Sequence, residues 1–83
     1  MEQMTVQVVC FAGLRKYFGS KTGVKVEVGS SYQSILEALA KVNPEAGEVL
    51  KSCRIAVNEQ FVAPDSPLKE VDTVFLIPPS SGG

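Results

Sequence analysis

Thr73-Val74-Phe75-Leu76-Ile77-Pro78-Pro79-Ser80-Ser81-Gly82-Gly83 closes the sequence, and its reading organises everything before it. Thr73 to Ile77 is a β-branched and apolar run with the period of a strand. Val74 and Leu76 fall on one face, the expected core side, and Phe75 and Ile77 on the other. Pro78 and Pro79 stop the strand, because proline fixes φ and donates no ladder hydrogen bond. Only small residues follow. Gly82 and Gly83 carry no Cβ, so their backbone can enter a channel that any side chain would block. The structural alternative is a frayed chain end. The functional one is a terminus whose own carboxylate, on Gly83, is the reacting group.

Working backwards, Leu68 to Asp72 leads into that strand, and Pro64-Asp65-Ser66-Pro67 reads as a loop. Cys53 to Asn58 is a strand with Cys53, Ile55 and Val57 on one side. Asn58-Glu59-Gln60 turns the chain, and Phe61-Val62 begins a brief return strand. Ser30 is a candidate helix N-cap, with Gln33 where a capping box wants it. Tyr32, Ile35, Leu36, Leu39 and Val42 then recur at helical spacing. Asn43-Pro44 ends that helix, and Glu45 to Lys51 suggests a second, short one.

At the start, Thr5 to Phe11 alternates as a strand, with Val6, Val8 and Cys10 inward and Thr5, Gln7, Val9 and Phe11 outward. Two outward apolar residues, Val9 and Phe11, are unusual there. Ala12 to Phe18 reads as a short amphipathic turn or helix ended by Gly19. Gly23 to Val28 is a second strand, with Val24, Val26 and Val28 inward. The order strand, strand, helix, strand, short strand, strand predicts an α+β fold. It is the ubiquitin-like β-grasp roll: a mixed sheet of four to five strands, one main helix on one face, and the last strand central. Residues 1–77 are expected to form the domain and residues 78–83 a flexible diglycine tail.

Composition narrows the functions. At 83 residues with 45% apolar content the chain is one globular domain. A formal net charge of −1, with scattered Lys and Arg, offers no footprint for nucleic acid. No apolar stretch is long enough for a bilayer, and Met1-Glu2-Gln3-Met4 does not look like a secretion signal, so a cytoplasmic protein is expected. There is no histidine, which removes the commonest general base and metal ligand. Cys10 and Cys53 fall inside strand-like runs and read as free, packed thiols. No catalytic dyad, triad or metal cluster is visible, so the chain is not expected to be an enzyme on its own.

Three segments carry a family resemblance. They are Phe11-Ala12-Gly13-Leu14-Arg15-Lys16, then Asn58-Glu59-Gln60-Phe61-Val62 with Pro67-Leu68 and Asp72, and Leu76-Ile77 with the Pro-Pro-x-Ser-Gly-Gly ending. In these the chain resembles the small, sulfur-carrier subunits of molybdopterin synthase, over nearly its whole length. The resemblance implies a role in molybdenum cofactor biosynthesis. An ATP-using, ubiquitin-activating-like partner would adenylate the Gly83 carboxylate. A persulfide donor would then convert it to a thiocarboxylate, with Gly82 beside the reacting group. The large synthase subunit would receive the tail and pass its sulfur to a cyclic pyranopterin precursor, in a heterotetramer. No cofactor would be bound permanently, ATP being consumed by the activating partner. Two positions depart from the family pattern: Ser80, where an apolar residue is common, and Lys16, where Glu is common.

Partner-binding candidates are Phe11, Phe61, Phe75, Ile77, Pro78, Pro79, Ser80, Ser81 and Arg15. Outward apolar residues at strand ends mark interaction sites, and the same patch could mediate self-association. Six extended residues from Pro78 to Gly83 reach roughly 20 Å. The alternatives are a sulfur carrier for thiamine thiazole or tRNA thiolation, and a ubiquitin-like modifier or interaction module.

Overall fold

The computed structural model describes residues 2–69 and 73–79. Strand β1 (Gln3–Cys10) pairs antiparallel with β2 (Lys21–Glu27), joined through a 3₁₀ turn (Ala12–Leu14) and a one-turn helix α1 (Arg15–Phe18). Helix α2 (Gln33–Val42) crosses the sheet and ends at Asn43. A 3₁₀ turn (Pro44–Ala46) and α3 (Gly47–Ser52) lead to β3 (Arg54–Val57), β4 (Gln60–Val62) and β5 (Thr73–Ile77). Among the described residues these strands form one five-stranded sheet in the order β2-β1-β5-β3-β4. β5 is central, parallel to β1 and antiparallel to β3. The expected mixed sheet and its crossover are therefore present.

One face of the sheet is covered by α2. Val6, Val8 and Cys10 of β1, Val24 and Val26 of β2, Ile55 and Val57 of β3 and Val74 and Leu76 of β5 all turn to it and are buried. Tyr32, Ile35, Leu36 and Leu39 meet them from the helix. Leu14 and Leu50 close the core from α1 and α3 sides. Burying each such side chain contributes about 1.5–3 kcal/mol before entropy is counted.

The turns follow residue chemistry with two exceptions. Asn58 and Glu59 both take positive φ, 51° and 66°, between the paired residues Val57 and Gln60. That is the geometry of a two-residue hairpin turn whose twist matches the strands. Asn tolerates it and Glu does so at a cost. Ala12 also has positive φ, 51°, and swings the chain sharply after β1.

Three expectations are corrected. Ser30 does not cap α2: its hydroxyl donates to the Glu27 carbonyl at 2.6 Å and contacts the Ser34 hydroxyl at 3.0 Å. The helix start is instead satisfied from a distant loop. The Tyr32 amide donates to the Ser66 carbonyl at 3.1 Å and the Gln33 amide to the Pro64 carbonyl at 2.8 Å. Orphan amides at a helix N-terminus accept any suitable carbonyl, local or not. Val28 is exposed because β2 stops at Glu27 and Gly29 turns at φ 93°. Val42 is 68% exposed: it is the last residue of α2, where the helix has run past the sheet.

Candidate functional site

The face of the sheet opposite α2 carries the alternate residues of the same strands. Register aligns four of them across it. Val9 of β1 stands beside Phe75 of β5, Phe75 beside Ala56 of β3, and Ala56 beside Phe61 of β4. Lys21 of β2 extends this row on the far side of Val9. At about 4.8 Å per strand the row from Lys21 to Phe61 spans roughly 19 Å. Phe61 is 62% exposed and Phe75 41% exposed, while Ala56 lies low between them. A small residue between two projecting rings makes a shallow trough.

The next row lies at the end of β5 from which the tail departs. Ile77, half-buried, stands beside Arg54. Phe11, half-buried, follows β1, and its ring lies 5.8 Å from that of Phe75 at 51°. Tilted pairs of this kind are favourable by about 0.5–1.5 kcal/mol beyond area burial. The reversal at Ala12 immediately follows Phe11. The Arg54 guanidinium lies over the Phe61 ring, 5.5 Å from its centroid. Pro78 is buried, so it belongs with the packed end of the strand, and Pro79 is exposed.

Of the residues picked from sequence, Phe11, Phe61, Phe75 and Ile77 therefore gather at one end of one face, and the exposed Pro79 follows β5 in the chain. Arg15 is exposed on α1, but its Nε donates to the Cys10 carbonyl at 3.4 Å, which ties α1 to the end of β1. The expected sites Ser80, Ser81, Gly82 and Gly83 lie outside the described residues, as does most of the 78–83 tail. Sequence reading passed over Ala56, Arg54 and Lys21. An arginine at an outward position of a strand next to a core run was the available signal for Arg54.

The thiols face the other way. Cys10 and Cys53 are both free and buried. Burial pushes the Cys53 thiol up to about 11, with nearby Cys10 adding to the rise, and burial also raises Cys10. Neither is a thiolate near neutral pH, so neither is a ready nucleophile. The Cys53 thiol donates to the Val49 carbonyl at 3.3 Å, a structural contact. Among the described residues no three His, Cys, Asp or Glu side chains are grouped to hold a metal ion. Nor is any described helix long and apolar enough to cross a membrane.

A single main helix crossing a mixed sheet with a central last strand defines a ubiquitin-like β-grasp protein. A family model described as the ThiS family matches residues 8–83, and the chain belongs to that family. It is 31% identical over 83 residues to the "Molybdopterin synthase sulfur carrier subunit" of Chlamydomonas reinhardtii, covering 96% of this chain and 100% of that one. Among solved structures it superimposes on the small archaeal modifier protein 1 of Methanosarcina acetivorans, with TM-score 0.78, 22% identity and full coverage of both chains. That likeness speaks to fold. A complex of subunits 1 and 2 of molybdopterin-converting factor from Helicobacter pylori matches with TM-score 0.54 and 26% identity, over 96% of this chain and 100% of that one.

Proposed function

We propose that this chain is the sulfur-carrier subunit of a molybdopterin synthase. The observation that carries the reading is the uncovered apolar row, with Phe61 and Phe75 exposed, near the departure point of the tail, in a chain of the ThiS family that resembles molybdopterin synthase carriers. A carrier needs two things from its own fold: a flat surface to dock and a terminus to insert. The sheet face beside β5 offers the first. Residues Pro79 to Gly83 would supply the second, with Pro79 limiting the conformational entropy lost on insertion.

Gly83 is the reacting residue in this proposal. Its carboxylate is ionised at neutral pH and is a poor electrophile. An activating partner joins it to the α-phosphate of ATP, releasing pyrophosphate. The terminal sulfur of a donor persulfide displaces AMP from the acyl adenylate. A donor thiol then cleaves the resulting acyl disulfide, leaving the Gly83 thiocarboxylate and an oxidised donor. The loaded tail enters the large subunit and its sulfur bonds to the pyranopterin precursor. Water cleaves the acyl–sulfur bond, so that the sulfur stays on the pterin and Gly83 returns as a carboxylate. The acids, bases and nucleotide site belong to the partners. The chain contributes docking, reach and the sulfur-bearing atom, and works in a reducing cytoplasm.

The test is the intact mass of the chain purified from cells that make molybdenum cofactor. A species heavier by one oxygen-to-sulfur exchange, mapped to Gly83, is the expected result. A mass unchanged after incubation with ATP, the activating partner and a sulfur donor contradicts the proposal. Isopeptide conjugates through Gly83 in place of the thiocarboxylate would make the chain a modifier instead.

A further inference from the structure

Charge on the docking face is segregated. Lys21 stands beside Val9 in the β1–β2 pairing, at the β2 edge of the apolar row, and Arg54 beside Ile77 in the β3–β5 pairing, one row nearer the tail. Both are exposed. Arg15 and Lys16 are exposed on α1, which begins just past Phe11. On the strands of this face, alternation also places Lys25, paired with Thr5, and the acidic Glu27, paired with Gln3, both toward the end away from the tail. Among the described residues, the only charged strand residues of this face bordering the apolar row are therefore Lys21 and Arg54. Lys51 and Glu48 make an ion pair on α3, and among the described residues neither Arg54 nor Lys21 is in one. In a chain of net charge −1, the charged strand residues that border the apolar row are thus both cations.

We infer that Arg54 and Lys21 select a partner whose docking surface encloses an apolar seat within a rim of carboxylates. The inference rests on the reading that this partner is the large synthase subunit, and adds the chemistry of its rim. Arg54 is suited to the task because its guanidinium rests 5.5 Å from the Phe61 ring centroid, beside the apolar row, and a guanidinium can pair with a carboxylate bidentately. Charges at such a rim govern encounter rate, register and rejection of wrong partners. The partner therefore carries acidic groups around the seat. A second copy of this chain is a poor occupant, since two-fold pairing of the face with itself crowds the same cations around one centre.

The experiment titrates the full chain, and a Lys21→Glu/Arg54→Glu double variant, against the large subunit from the same source at low and high salt. An Ile77→Asp variant serves as the control for docking. The inference expects the double variant to bind at least roughly tenfold more weakly at low salt, with the gap closing as salt screens the rim. It also expects a carbodiimide to join wild-type Lys21 to an Asp or Glu of the large subunit. Equal affinity of double variant and wild type, alongside weakened Ile77→Asp, overturns the acidic rim and leaves the carrier reading standing. Absence of any binding by the wild type overturns both. Both substituted side chains are exposed, and a melting curve of the double variant matching wild type confirms that the comparison is between folded proteins.

Discussion

The two faces of the sheet are built from the same strands yet serve different ends. On β5, Val74 and Leu76 are 0% exposed beneath α2, while Phe75 between them is 41% exposed on the other side. On β1, Val6, Val8 and Cys10 point into the core and Val9 joins the open row. Apolar chemistry is common to both faces. What separates them is cover: α2 buries one within the chain, and the other stays open. A free sheet face that is merely solvated carries polar alternates, as Thr5 and Gln7 do here toward the far end. The row of Val9, Phe75, Ala56 and Phe61 breaks that rule only at the tail end, where a docking partner would have to sit.

The comparison can be broken in several places. Deleting Gly83 leaves both faces whole and is expected to abolish sulfur loading outright, with an unchanged melting curve. Full-rate loading of the truncated chain, measured by mass after incubation with ATP, activating partner and donor, would end the carrier account. Leu76→Ala, on the covered face, should cost about 2–5 kcal/mol of unfolding free energy by denaturant titration. Its binding per folded molecule should stay within a factor of about two. Phe61→Ala, on the open face, should do the reverse. It removes about 2 kcal/mol of partner binding, roughly thirtyfold in Kd, and shifts stability by no more than about 1 kcal/mol.

A smaller effect tests the covered face through pH. Cys10 and Cys53 hold their protons more tightly folded than unfolded, Cys53 up to about 11 against an ordinary 9.0. Their contribution to stability is present in full below the unfolded thiol's range. It is lost as pH rises from near 9 toward 11, because the unfolded chain then releases protons that the folded chain keeps. Unfolding midpoints should fall across that window, and the fall should be shallower in Cys53→Ala. An identical slope in that variant would show that Cys53 is not the group responsible.

Most of the covered face was legible in the sequence because its signal is local. Alternation in Val6, Val8 and Cys10 and the helical spacing of Ile35, Leu36 and Leu39 each follow from one segment's geometry. The Pro-Pro stop gave the end of β5 in the same way. Ser30 misled because its replacement, the carbonyls of Pro64 and Ser66, comes from a loop more than thirty residues away. Val28 and Val42 misled because periodicity carries no record of where an element ends. The open row was half legible. Phe11, Phe61, Phe75 and Ile77 could be picked as outward apolar residues. Ala56 and Arg54 became meaningful only through the register of β3 with β5, strands that are not consecutive in sequence, and Lys21 only through its register with Val9 across the β1–β2 pair.

The most direct test of this division is a titration of the large synthase subunit with the wild-type chain and its Ile77→Asp variant, each also melted alone. Ile77 lies on the open face beside the departing tail. The account predicts that the aspartate weakens binding by roughly a hundredfold or more, as loss of a central apolar anchor does, while the variant still unfolds in a single cooperative transition near that of wild type. Undiminished affinity in a folded variant would contradict it, and would leave the apolar row without a role in docking.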